Sequence, residues 1–234
     1  MADPIFAAEG HLAGFPYFVY YTGGAQPGQP LPVAVIFHYY TATPAMMLPL
    51  FTRISAPGCL VFPQAPFPAA DGFSWFPSGF YDQDLVEQNK PLKKIAADLA
   101  VFLKELPTHL GLAGKPLVTG FSSQGGDLSY ALAMEYPETI GMAIPMGGRL
   151  EPQFRPERAS EASRKVPIRV LHGEKDPIVL IETVRNGVRW LETHQCDVQL
   201  IAYPEGQHDA PPALQRDLHM LINGYFLSIL GSQA

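Results

Sequence analysis

Leu117-Val118-Thr119-Gly120-Phe121-Ser122-Ser123-Gln124-Gly125-Gly126 is the stretch on which the reading of this chain turns. Leu117 to Phe121 reads as a buried strand, and Gly125 to Glu135 as a helix stopped before Pro137. A serine between a strand and a helix sits on a sharp turn with the N–H groups of the helix start behind it. Such a turn wants small residues two positions either side of the serine. Ser123 has Gly125 at +2 and Phe121 at −2, whereas Ser122 has Gly120 at −2 and Gln124 at +2. Ser123 is preferred, because Gly125 and Gly126 must sit where the helix starts, with the extra residue taken up at the strand end. A serine capping a helix after a glycine-rich turn is the plain alternative.

Outward from this turn, strands and helices alternate. Tyr17 to Thr22, Val33 to Phe37, Cys59 to Phe62, Met142 to Met146, Ile168 to Leu171 and Val198 to Tyr203 read as strands. Leu92, Ile95, Ala96, Leu99, Phe102, Leu103 and Leu106 recur at helical spacing, which predicts a helix over about 84 to 106. Further helices are expected over Ile178 to His194 and Pro211 to Leu230. Parallel strands joined by crossover helices pack this pattern economically, and chemistry in such a sheet sits beyond the carboxyl ends of its strands.

Composition narrows the function. The 234 residues are 47% hydrophobic and 16% charged, enough apolar content for one well-buried domain spanning 1–234. Sixteen basic against twenty-two acidic residues leave a net charge of −6, which argues against a nucleic-acid or polybasic membrane surface. No apolar run reaches the length of a membrane span. The first residues carry Asp3 and Glu9 and no base, so no secretory signal is expected. Cys59 and Cys196 form no framework, and two free thiols in a cytoplasmic protein are the expectation.

Two further loops follow predicted strands. Leu171-His172-Gly173-Glu174-Lys175-Asp176-Pro177 places Asp176 where a carboxylate can orient an imidazole, or alternatively cap a helix. Tyr203-Pro204-Glu205-Gly206-Gln207-His208-Asp209 places His208 at the same edge. Serine, acid, histidine is the chain order of α/β-hydrolases. His172 reads as a structural residue beneath the Asp176 loop. A zinc site of His38, His172 and His208 lacks any paired-ligand spacing, so no metal is expected.

A serine nucleophile needs two N–H donors for its oxyanion. Gln124 follows the serine, and His38-Tyr39-Tyr40-Thr41 follows the strand Val33 to Phe37; Gln124 and Tyr40 are the candidates. Tyr39, with Phe73, Trp75 and Phe76 of a second aromatic loop, would wall a substrate pocket, or alternatively plug the core. Residues 65–83, aromatic and turn-rich, form a candidate cover over the site.

These residues resemble the phospholipase/carboxylesterase family of α/β-hydrolases, which includes bacterial carboxylesterases and acyl-protein thioesterases. Gly120-Phe121-Ser122-Ser123-Gln124-Gly125-Gly126 is similar to its G-F-S-Q-G-G with one serine added, and Ser74-Trp75-Phe76 to its S-W-F. His172 to Val179 resembles its H-G-x-x-D-x-x-V, and Gly206-Gln207-His208 its histidine loop. Where the family has His-Gly-Leu-Gly, this chain has His38-Tyr39-Tyr40-Thr41. The resemblance implies an α/β-hydrolase fold, a mostly parallel sheet with helices on both faces. It implies Ser123 as nucleophile, Asp176 as orienting acid, His208 as base, Tyr40 and Gln124 at the oxyanion, and no cofactor. The expected substrate is a small ester with a short to medium acyl chain, cleaved through an acyl-enzyme. An acyl thioesterase and an inactive hydrolase-fold binding protein stay open as alternatives, as does a homodimer.

Overall fold

The computed structural model describes residues 6–232; the outermost ends of the expected 1–234 domain lie outside it. Among the described residues, ten strands and six α-helices follow one another. An opening group comprises β1 (Ala8–Leu12), β2 (Phe15–Thr22), β3 (Val33–Phe37), α1 (Pro44–Met47) and β4 (Gly58–Pro63). The hairpin strands β5 (Phe67–Ala69) and β6 (Gly72–Ser74) precede α2 (Leu85–Leu110), β7 (Leu117–Gly120), α3 (Gln124–Glu135) and β8 (Met142–Pro145). The chain closes with α4 (Glu161–Arg164), β9 (Ile168–Gly173), α5 (Ile181–Thr193), β10 (Val198–Tyr203) and α6 (Pro212–Gly231).

Eight strands form one sheet in the order β1-β2-β4-β3-β7-β8-β9-β10. The pairings β1 with β2 and β2 with β4 are antiparallel, and the others run parallel. Every residue of β3 is buried. Strand side chains alternate between faces, so Val33, Val35 and Phe37 enter one core while Ala34 and Ile36 enter the other. The first core also takes apolar residues of α2, α3 and α5, and the second those of α1 and α6. Helices therefore cover both faces, as a mostly parallel sheet requires.

Two helix boundaries differ most from the sequence reading. Helix α2 runs past Pro107 to Leu110 and closes on Gly111, whose φ of +66° lets its N–H return to the Pro107 carbonyl. Helix α5 begins at Ile181, not Ile178, because the Asp176 carboxylate takes the Ile178 and Val179 N–H groups into a turn of their own.

Candidate active site

The central strands β3, β7 and β9, with β10 at the sheet edge, deliver four loops to one rim. The elbow after β7 is shaped by two glycines. A methyl group on Gly120 would land on the Gly125 backbone, and one on Gly125 would lie 2.7 Å from the Phe37 carbonyl oxygen. The chain thus crosses itself at Gly120 and Gly125, and the four residues between them form the turn. Ser122 and Ser123 both have positive φ, +50° and +58°. Ser123, with ψ −101°, stands directly before α3 and outside the ordinary left-handed well. Its N–H is anchored to the Gly147 carbonyl at 2.7 Å. Asp127, in the first turn of α3, ties the next loop down by accepting from the Arg149 N–H at 2.6 Å and its guanidinium at 2.7 Å. Burial pushes the Asp127 carboxyl up, and the Arg149 charge pulls it back.

Asp176 is buried and both of its carboxylate oxygens are hydrogen-bonded. Oδ1 accepts from the Ile178 and Val179 N–H groups at 2.8 and 2.9 Å, and Oδ2 meets His208 Nδ1 at 2.6 Å. That bond fixes Nδ1 as the protonated nitrogen and leaves Nε2 with a free lone pair. His172 lies beneath, donating Nε2–H to the Val179 carbonyl at 2.8 Å, and burial lowers its pKa. It supports the acid loop from below. The loops stand side by side because β9 and β10 pair in parallel register, Gly173 opposite Tyr203.

His208, Ser122 and Ser123 share one cleft of about 350 Å³ with Tyr39, Tyr40, Tyr81 and Ile178. Among the described residues no hydrogen bond joins His208 to either serine. The hydroxyl of Ser123 instead meets Tyr81 Oη at 3.3 Å. Tyr40 and Gln124, the expected oxyanion donors, flank the serines, and among the described residues neither backbone N–H meets an acceptor. An apolar groove of about 530 Å³ continues past Tyr39 to Met46, Pro49, Leu50 and Phe121. A third cleft, about 390 Å³, runs under residues 68–82 and is walled by Phe76, Phe80 and Tyr81.

Of the four expected wall residues, Tyr39 and Phe76 border these clefts and Phe73 and Trp75 do not. Trp75 is fully buried among Phe15, Phe37 and His38, and its indole N–H donates to the His38 carbonyl at 2.9 Å. A large ring with one donor is satisfied there and has no surface left for substrate. Phe73 contributes backbone, exchanging bonds with Thr41 and Ala42 at 2.9 and 3.0 Å. The Gln124 side chain accepts from the Trp75 N–H at 2.8 Å, so the S-W-F segment braces the elbow. Sequence reasoning passed over Tyr81, Met46, Leu50 and Ile178. Their only signal was membership of loops flanking the site, which does not tell a wall from a plug.

Residues 48–223 match the family model for phospholipase/carboxylesterase. A probable carboxylesterase of Oryza sativa subsp. japonica is 38% identical over 88 residues, 37% of this chain and 33% of the rice protein. The aligned part thus spans about a third of that relative's length. In three dimensions the chain superposes on a carboxylesterase from Mesorhizobium loti (TM-score 0.74, 21% identity, 91% of this chain and 96% of that one). It also superposes on Zea mays acyl-protein thioesterase 2 (TM-score 0.66, 19% identity, 90% and 98%). These two similarities speak for the α/β-hydrolase fold, and the family model speaks for descent. The chain belongs to the phospholipase/carboxylesterase family of α/β-hydrolases.

Proposed function

We propose that the protein is a serine carboxylesterase acting on esters of short to medium acyl chains. The observation that carries this reading is the Asp176–His208 pair opening into the same cleft as the elbow serines. Ser123 is the nucleophile: it alone directly precedes α3, whose first N–H, that of Gln124, then faces the developing oxyanion together with the Tyr40 N–H. Across the cleft they share, the Ser123 hydroxyl gives its proton to His208 Nε2. The acyl group passes to Ser123, the alcohol leaves with the proton from His208, and water activated by the same imidazole frees the acid. The apolar groove beside Met46 and Leu50 suits the acyl chain, and residues 65–83, whose stretch 68–82 lines the third cleft, act as the cover.

The charged residues bordering the three clefts, Asp82 and Asp209, are acidic, which disfavours the phosphates of an acyl-CoA thioester. Cys59 is buried, its thiol pushed up to about 12 by burial, and Cys196 is unpaired, both in keeping with a cytoplasmic location. No helix among the described residues is long and apolar enough to cross a membrane.

A fluorophosphonate probe followed by peptide mapping tests the reading. Label is expected on Ser123, with Ser123→Ala losing several orders of magnitude in turnover of p-nitrophenyl esters. Label on Ser122 would move the nucleophile, and folded protein that takes no label would make the chain a binding protein.

A further inference from the structure

The Ser123 hydroxyl has one hydrogen-bond partner among the described residues, and it is a phenol. Tyr81 Oη stands 3.3 Å from Ser123 Oγ. The preceding residue, Phe80, is buried and stacked on Phe76 with centroids 4.2 Å apart. The Tyr81 ring meets Phe80 edge-on at 5.0 Å and Tyr40 edge-on at 5.6 Å. Tyr81 is 44% exposed, and its hydroxyl reaches Ser123 in the cleft they share. The phenol is therefore held beside Tyr40, whose N–H is one oxyanion donor, and beside Gln124, which supplies the other.

We propose that Tyr81 is a third oxyanion donor, bonding the resting Ser123 hydroxyl and donating instead to the substrate carbonyl oxygen during acylation. This rests on Ser123 being the nucleophile. As the Oγ–carbon bond forms, the Ser123 proton passes to His208 Nε2 and the carbonyl π pair moves onto oxygen. Tyr81 keeps its own proton throughout and only shares it. Collapse restores the carbonyl, and the departing alcohol takes the proton from His208. Burial pushes the Tyr81 phenol above its ordinary range, with the bond to Ser123 pulling the other way. It therefore remains a neutral donor wherever an imidazole serves as base. A donor already oriented by Phe80 and Tyr40 needs little reorganisation when charge develops, which is the condition for a large effect.

Tyr81→Phe keeps the ring, and with it the contacts to Tyr40 and Phe80, and removes only the hydroxyl. Steady-state hydrolysis of p-nitrophenyl butyrate should show kcat lowered by about 10²-fold with KM nearly unchanged. Fluorophosphonate inactivation, which builds negative charge on a phosphoryl oxygen, should slow by a similar factor. Equal or faster turnover and labelling in Tyr81→Phe would show that the phenol merely holds the resting hydroxyl, and would overturn the proposal. So would a change confined to KM, the mark of a wall residue. If wild-type protein takes no label at Ser123, the nucleophile assignment itself fails and this inference falls with it. Normal wild-type labelling with an unaffected variant sinks the role of Tyr81 alone.

Discussion

The two halves of the site are built on different principles. The half formed by Asp176 and His208 is rigid through backbone hydrogen bonds. Three donors hold one carboxylate at 2.6 to 2.9 Å, and the two loops are cross-tied by Glu174 N–H to the Tyr203 carbonyl and Lys175 N–H to the Gly206 carbonyl, both at 2.9 Å. The half formed by the elbow and the aromatic loops adds strained backbone and ring packing to the hydrogen bonds at its base. Ser122, Ser123 and Thr41 all have positive φ, and the one bond to the Ser123 hydroxyl is longer, at 3.3 Å. Each strained residue costs on the order of 1–3 kcal/mol and persists only where its surroundings over-determine it. The imidazole is thus set in advance, while the hydroxyl is left free to change partners.

Asp176→Asn attacks the rigid half and should have the largest effect. If the amide oxygen keeps the Ile178 and Val179 N–H groups, its NH2 faces His208 Nδ1 and forces the proton onto Nε2, which abolishes the base. If the amide turns over, its NH2 meets two buried N–H donors. The second arrangement is disfavoured, so kcat should fall on the order of 10³- to 10⁴-fold with the protein still folded. A loss under tenfold would mean that the carboxylate does not set the tautomer. Gly120→Ala attacks the other half. The added methyl meets the Gly125 backbone, which has no free rotamer with which to yield, so overpacking should cost about 3 kcal/mol in chemical denaturation. An unchanged denaturation midpoint would show that the crossing at Gly120 and Gly125 is not tight.

The same contrast explains what the sequence made legible. Strands β3, β7 and β9 are apolar runs bounded by turn residues, and Ser123, Asp176 and His208 follow the carboxyl ends of β7, β9 and β10, so the polar half could be read from residue types. β1 could not. Its burial pattern is mostly exposed, it lies at the sheet edge, and pairing with β2 is all that makes it a strand. The aromatic half failed for another reason. Trp75 and Tyr81 lie six positions apart in one loop, one fully buried and the other with its hydroxyl on Ser123. Hydrophobicity is the same signal for both, and only the partner of each polar tip, the His38 carbonyl or the Ser123 hydroxyl, separates them.

His38 joins the loop after β3 to Ala65, and its titration acts only as the pH falls. The ring is fully buried, with Nδ1–H donating to the Tyr39 carbonyl at 2.8 Å and Nε2 accepting from the Ala65 N–H at 3.1 Å. Burial lowers its pKa from 6.5 to about 4, against the pull of the Tyr39 bond. The unfolded chain therefore binds a proton below pH 6.5 that the folded chain refuses until about pH 4. Stability from this residue is complete above pH 6.5 and is lost progressively toward pH 4, by about 3 kcal/mol in all. Protonation turns Nε2 into a donor facing the Ala65 N–H, so acid should loosen the aromatic half in particular. His38→Gln can keep both bonds without titrating. Guanidinium midpoints measured from pH 7 to pH 4 should fall less steeply for His38→Gln than for the parent. Parallel slopes would place the acid sensitivity elsewhere, and the tie between the two aromatic loops would then owe nothing to the charge state of this ring.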